Sequence, residues 1–369
     1  MRILHFYRTS FPDTMGGIEQ VINQIARGAS KLGVQSDVLS LTPDRVARTI
    51  EIDGYLAHRA RLYFQIASTG FSLSAFWRFT QLAKKADVIH YHFPWPFMDM
   101  VHFATIVNKP TVVTYHSDII KQKYLLKLYR PLKHRFLASV DRIVATSPNY
   151  LATSNVLAKF SDKVKVIPIG LDKTTYPIPM PDRLQYWSEK LGSKFFLFVG
   201  VLRYYKGLHI LLEAAKGINY PIVIVGAGPI EAELKAQAVQ LGLRNIHFLG
   251  LLSDEDKTAL LTLCYGVIFP SHLRSEAFGI SLLEGAMYGK PMISSEIGTG
   301  TTFINIADET GLVVPPSDPL ALRQAMQFLW EHPEQASEMG RNAEERYWKY
   351  FTADQMVESY VDLYRELSN

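Results

Sequence analysis

Two runs of alternating strand and helix patterns, divided by a proline-rich stretch without periodicity, constrain this chain more than any other feature. The first run opens with the apolar strand Arg2 to Tyr7 and continues through Ser36 to Leu41, Val88 to Tyr91, Thr111 to Tyr115, Arg142 to Thr146 and Lys165 to Ile167. The second opens with Phe195 to Val199 and includes Pro221 to Val225, Val267 to Pro270 and Gly311 to Val314. Short apolar strands that alternate with helical patterns need cover on both faces, which predicts an α/β protein of mostly parallel sheets flanked by helices. Between the runs, Gly170-Leu-Asp-Lys-Thr-Thr-Tyr-Pro177-Ile-Pro179-Met-Pro181 reads as an interdomain linker. The predicted organisation is therefore an N-terminal domain over 1–170, a linker over 171–191, a second domain over 192–350 and a terminal amphipathic helix within 351–369.

A chain of 369 residues with 48% hydrophobic content can fill two cores. Its single cysteine, Cys264, lies in an apolar run and cannot close an internal disulfide, which fits a reducing compartment and argues against a thiolate metal cluster. The run Phe195 to Leu202 falls far short of the ~18 apolar residues of a membrane span, so the expected location is the cytoplasm.

Charge is uneven. Residues 1–191 hold 25 Lys and Arg against 14 Asp and Glu, a net +11, whereas residues 192–369 are net −7. Much of the excess lies between Lys121 and Arg135, where basic and apolar residues interleave at helical spacing. Such a helix either solvates its basic face or meets anionic lipid head groups. No nucleic-acid-binding motif accompanies the charge, so nucleic acid is not an expected partner.

In open α/β sheets ligands gather at the carboxyl ends of strands, and several such loops here carry chemistry. After the first strand, Gly16-Gly17-Ile-Glu19 opens a helix to about Leu32; paired glycines there serve either a turn or the close approach of a ligand. His90 and His92 share a face if their strand continues. Their spacing suits a metal, but no third ligand stands at motif spacing, so packing or an acceptor wall is the preferred reading. His116-Ser117-Asp118 follows Thr111 to Tyr115. After Phe195 to Val199 come Gly200, Arg203, Lys206 and Gly207, fixed cations at a strand-to-helix turn, where a phosphate would meet them. The richest loop is Ser275-Glu-Ala-Phe-Gly-Ile-Ser-Leu-Leu-Glu-Gly285. Here Glu276 and Glu284 flank a predicted helix start, so backbone N–H groups of Phe278, Gly279 and Ile280, with the positive end of the helix dipole, form an anion site between two acids.

Other motifs dissolve on inspection. Gly226-Ala-Gly228-Pro229 resembles the start of a dinucleotide fingerprint, but Pro229 and Glu231 break it, which excludes a nicotinamide or flavin cofactor. Ser253-Asp254-Glu255-Asp256 reads as a helix cap with acids in its first turn, not as a Mg²⁺ site. Gly298-Thr-Gly300-Thr301-Thr302 offers further N–H and hydroxyl donors.

Six of these motifs, in order, resemble family 4 of the retaining glycosyltransferases: Gly16-Gly17-Ile-Glu19, Thr114-Tyr-His116, Gly200 to Lys206-Gly207, Gly226-Ala-Gly228-Pro229, Glu276 to Glu284, and Gly311-Leu-Val-Val-Pro. The resemblance spans nearly the whole chain. It implies a GT-B fold, two Rossmann-like domains facing across a cleft, the C-terminal one holding a nucleotide sugar and the N-terminal one the acceptor, with the last helix crossing back. It further implies that Glu276 holds donor-sugar hydroxyls, Glu284 the ribose and Lys206 the diphosphate; that Phe278, Gly279 and Ile280 bond sugar or phosphate through N–H groups; that His116 reaches the donor sugar; and that Gly17 lets its loop close on the diphosphate. One departure stands out: Val201 occupies the place of the family's arginine, and Arg203 is the candidate replacement.

Chemistry agrees with that expectation. Transfer through an oxocarbenium-like transition state needs the leaving diphosphate neutralised, which Arg, Lys and a helix N-terminus supply without a metal. Front-face attack, with the leaving phosphate accepting the proton, gives retention without a carboxylate nucleophile, so a two-carboxylate hydrolase is set aside. The segments Leu202-Arg-Tyr-Tyr-Lys-Gly, Tyr115-His-Ser-Asp and Ile297-Gly-Thr-Gly-Thr-Thr most resemble bacterial O-antigen mannosyltransferases, implying GDP-mannose and a lipid-diphosphate-linked glycan at the inner membrane face. A UDP-sugar donor competes. An epimerase or a non-catalytic nucleotide-sugar binder of the same fold is the alternative of a different class.

Overall fold

The computed structural model describes residues 1–14, 16–44, 48–66, 69–119 and 123–368, and the chain divides into two compact units, Met1–Gly170 with Ala353–Asn369, and Leu171–Thr352. In the first, the strands are β1 (Arg2–Phe6), β2 (Gln35–Thr42), β3 (Thr49–Ile52), β4 (Tyr55–Arg61), β5 (Phe64–Ile66), β6 (Thr69–Phe71), β7 (Val88–Phe93), β8 (Thr111–Tyr115), β9 (Arg142–Ala145) and β10 (Val164–Val166). Eight of them form one sheet in the order β10-β9-β8-β7-β1-β2-β4-β3, parallel except for β3 against β4, while β5 and β6 pair as a separate hairpin. All of β7 and β8 and four of five residues of β1 are buried, as expected of central strands covered on both faces.

The second unit holds β11 (Phe196–Val199), β12 (Ile222–Val225), β13 (Ile246–Gly250), β14 (Gly266–Phe269), β15 (Met292–Ser295) and β16 (Gly311–Val314). They form a fully parallel sheet in the order β13-β12-β11-β14-β15-β16. Ser253 caps the helix Asp254–Leu263 as expected, its hydroxyl accepting from the Asp256 N–H.

Two segments depart from the sequence reading. Residues 171–191, expected as linker, belong to the second unit: Pro181–Leu191 is a helix whose Trp187 and Leu191 pack with Ala259, Leu260 and Val267, and Trp187 Nε1 donates to Asp256 Oδ1 at 2.9 Å. Proline at the first helical position, not an aperiodic linker, explains Pro181. The basic segment forms the helix Lys123–Ser139, while Lys121 lies outside the described residues. Its pattern is not a clean amphipathic one, since Lys133 is buried and Leu128 is 81% exposed.

The last helix, Ala353–Ser368, is part of the first unit. Its buried residues Met356, Val357, Tyr360, Val361 and Tyr364 recur at helical spacing, and Tyr360 and Tyr364 reach the central strands by hydrogen bonds.

Candidate active site

Strand order locates the crevice of each unit. In the second sheet the chain runs outward from β11 through β12 to β13, then returns to place β14 on the other side of β11. The loops after β11 and β14 therefore diverge at a topological switch point, where open α/β sheets bind ligands. Those are the loops that carry Gly200, Arg203 and Lys206 on one side and Glu276, Phe278, Gly279 and Ile280 on the other.

The two loops are locked together. Lys206 ends a short 3₁₀ turn, Tyr204–Lys206, and its Nζ lies 2.5 Å from Glu276 Oε2. Ser271 Oγ donates to the same carboxylate oxygen at 3.2 Å, and the ammonium sits 4.7 Å from the Phe269 ring centre. Gly207 follows with φ +73, and a Cβ there would stand 1.9 Å from the Pro270 carbonyl, so no other residue lets β11's loop approach β14's this closely. Arg203 is exposed and makes no ion pair among the described residues.

Past Glu276, Phe278 is buried and Gly279 takes a left-handed conformation as the N-cap of the helix Ile280–Met287. Among the described residues no side chain caps that helix, so its first N–H groups and its positive dipole end face an anion site. Glu284, on the same helix, is 4% exposed; its Oε1 accepts from Tyr176 Oη at 2.9 Å and from Lys257 Nζ at 3.3 Å. Burial works against the Lys257 charge, but Glu284 and Asp254 outweigh it and hold the ammonium above its usual range.

Gly228 has a packing duty. A Cβ on it would lie 2.3 Å from the Leu202 carbonyl, so its bareness lets the loops after β11 and β12 touch. The hydroxyls of Thr299 and Thr301, expected as donors to a ligand, turn inward: both residues are buried, and Thr301 Oγ1 reaches Thr299 and the Ser295 carbonyl.

In the first unit the switch lies between β7 and β1. Gly16 is the N-cap of the helix Gly17–Lys31, again without a side-chain cap, while Thr9 and Thr14 hydroxyls donate to Glu19 Oε1 at 2.7 and 3.1 Å and fix the loop to the helix. His116 follows β8; its N–H donates to the Phe93 carbonyl at 3.0 Å, and its Nε2 faces His92 Nδ1 at 3.0 Å. His5 joins the pair from β1. Among the described residues, His5, His90 and His92 have ligand atoms within 4.8 Å of one another. Both nitrogens of His90 already face hydroxyls at 2.7 Å, those of Tyr364 and Thr114, so neither is turned toward the other two rings. The packing reading of His90 and His92 is the one this geometry favours.

Sequence reasoning missed Ser271, Tyr176, Lys257 and His5. Tyr176 lies in the stretch expected as linker, and Lys257 follows the Ser253 cap in a helix to which no site was assigned.

Residues 15–175 match the model of Glycosyltransferase Family 4 and residues 184–346 that of Glycosyl transferases group 1. The chain is 66% identical over 353 residues to D-rhamnosyltransferase WbpZ of Pseudomonas aeruginosa, an alignment covering 96% of this chain and 93% of that protein. It is 53% identical over 367 residues to O-antigen chain mannosyltransferase C of Escherichia coli, covering 100% and 99%. Sucrose-phosphate synthase from Thermosynechococcus elongatus superposes with a TM-score of 0.83 at 22% identity, over 99% of this chain and 98% of the other.

Proposed function

The chain belongs to glycosyltransferase family 4 and has the GT-B fold, and on that premise we propose that it moves a D-manno-configured hexose, mannose from GDP-mannose, with retention onto a lipid-diphosphate-linked glycan of O-antigen type. The observation that carries this reading is the Lys206–Glu276 pair beside an uncapped helix N-terminus at the switch point of the second sheet. Glu276 then holds sugar hydroxyls and Glu284 the ribose, while Lys206, Arg203 and the N–H groups of Phe278, Gly279 and Ile280 neutralise the departing diphosphate. That charge is sufficient without a metal. The leaving phosphate takes the acceptor proton, so neither glutamate serves as nucleophile. His116 meets the donor sugar, and Gly16 and Gly17 admit the diphosphate from the first unit.

A second sugar is favoured by a specific observation. The 66% relative is named a D-rhamnosyltransferase, and D-rhamnose is mannose without its 6-hydroxyl. Parallel assays with GDP-mannose, GDP-D-rhamnose and UDP-hexoses, with and without a synthetic lipid-diphosphate acceptor, discriminate all readings: sugar conversion without acceptor marks an epimerase, and binding without turnover marks a binder.

The acceptor reading includes the inner face of the cytoplasmic membrane. No helix among the described residues is long and apolar enough to cross a bilayer. Support for a peripheral contact comes from the helix Lys123–Ser139, which exposes Lys127, Leu128, Arg130 and Arg135 together.

A further inference from the structure

Three imidazoles of the first unit form a hydrogen-bonded row with one open end. His5 comes from β1, His92 from β7 and His116 from the end of β8, neighbouring strands of one sheet. His5 Nδ1 faces His92 Nε2 at 3.2 Å, and His92 Nδ1 faces His116 Nε2 at 3.0 Å. Their rings lie nearly parallel, with centroids 5.5 and 5.3 Å apart. His5 and His92 are fully buried, whereas His116 is 5% exposed.

Counting protons fixes the direction of the row. Burial pushes His5 and His116 down to about 3 and His92 well below its ordinary value, so all three are neutral near pH 7. Three neutral imidazoles carry three N–H protons, and two of these occupy the two contacts. The third sits at one end, on His5 Nε2 or on His116 Nδ1. Among the described residues His5 Nε2 is buried without a partner, and an orphan N–H is rarer in native interiors than an under-used acceptor. The proton therefore belongs on His116 Nδ1, and every N–H of the row points outward from His5.

The surroundings leave that order undisturbed. His90 lies tilted beside the row, its ring centroid 4.2 Å from that of His92, but its nitrogens are committed to Tyr364 Oη and Thr114 Oγ1, and Thr114 Oγ1 in turn meets Tyr360 Oη at 2.8 Å. Tyr7 meets His92 edge-on at 6.2 Å. Asp37, the carboxylate that acts on His5, is already held by Arg2 and His58 at 2.7 Å each.

We propose that His5 and His92 are positioning residues that set the tautomer of His116, keeping its Nε2 as an inward acceptor and its Nδ1–H as a fixed neutral donor to a sugar oxygen. The inference rests on the reading of His116 as a donor-sugar contact. It adds which nitrogen donates and what enforces it. An imidazole without this backing would rotate or present a lone pair, and a hydroxyl already donating elsewhere would find no partner.

The test is the tautomeric state of His116, read by long-range ¹H–¹⁵N correlation on the full chain labelled at imidazole nitrogens. The wild-type ring is expected as the Nδ1–H form. His92→Phe, which removes both nitrogens, should release it to the Nε2–H form or a mixture and lower kcat about tenfold, the value of one hydrogen bond, at unchanged KM for the donor. His92→Asn keeps a donor close to the Nδ1 position and should recover most of that loss. A wild-type His116 in the Nε2–H form overturns the proposal, and needs no variant to fold. If the wild type is the Nδ1–H form and His92→Phe shifts it without altering kcat, the tautomer control stands while the contact between His116 and the sugar fails. If His116→Ala abolishes transfer but the wild-type ring is the Nε2–H form, the contact stands and the control fails.

Discussion

Lys206 and Glu276 each keep only 11% of their side-chain surface, so neither charge can be deleted without stranding the other. Lys206→Met alone is expected to destabilise the protein by about 3 kcal/mol, and the double variant with Glu276→Gln to regain most of it, since breaking a buried pair costs more than replacing both partners. Denaturant titration reads that coupling. Transfer should behave differently: both singles and the double lose about a hundredfold or more in kcat, because the proposed charge neutralisation is gone in all three. Recovery of transfer in the double would show that the pair only holds the loops together. At Gly207 the expectation is purely conformational. Gly207→Ala forces a side chain into a left-handed φ against the Pro270 carbonyl and should cost at least ~2 kcal/mol by the same titration. Lys206 and Glu276 were legible in the sequence as charges in loops that follow strands, and Glu284 as the acid eight positions on, in the helix that the second loop opens. Ser271, Tyr176 and Lys257 were not, since nothing in a local pattern tells which distant residue will approach a carboxylate.

At the scale of elements, the last helix and the histidine-bearing strands are bound by polar contacts inside a core. Tyr364→Phe removes the hydroxyl that faces His90 Nδ1 at 2.7 Å and leaves a buried nitrogen unpaired, a cost of about 1–3 kcal/mol that hydrogen exchange of β7 should register. The same cluster makes stability depend on pH. His5, His90, His92 and His116 all have folded-state pKa values depressed by burial, so below the unfolded value of 6.5 the unfolded chain binds protons that the native one refuses. The contribution of His5 and His116 is complete above pH 6.5 and is lost as pH falls toward about 3, with a slope of up to ~1.4 kcal/mol per pH unit for each, and His90 and His92, also lowered by burial, act in the same direction. Urea titrations at pH 7 and 5.5 should show the decline; stability that is flat over this interval would mean that the cluster is hydrated. The central strands were legible as continuous apolar runs. Strands β3 to β6 were not: Tyr55–Arg61 mixes His and Arg into its pattern because it lies one place from the sheet edge, and Phe64–Ile66 and Thr69–Phe71 are only three residues long.

For the whole molecule, alternation of strand and helix made the two-sheet architecture legible, while the fate of residues 171–191 was decided by packing that no composition shift reveals. Charge follows the units. The first carries 23 Lys and Arg against 15 Asp and Glu, a net +8, and the second 16 against 20, a net −4. If the first unit meets anionic membrane, binding to phosphatidylglycerol vesicles should weaken with salt, and replacing Lys127, Arg130 and Arg135 by Gln should cut partitioning about a hundredfold, at ~1 kcal/mol for each charge. Equal binding to neutral vesicles would discard the electrostatic contact. The proposed chemistry is tested most directly by incubating the protein with labelled GDP-α-mannose and a synthetic lipid-diphosphate glycan and determining the anomeric configuration of the product. An α-linked mannoside that disappears with Glu276→Ala and with Lys206→Ala is the predicted result; a β-linked product, or undiminished transfer in both variants, would contradict it.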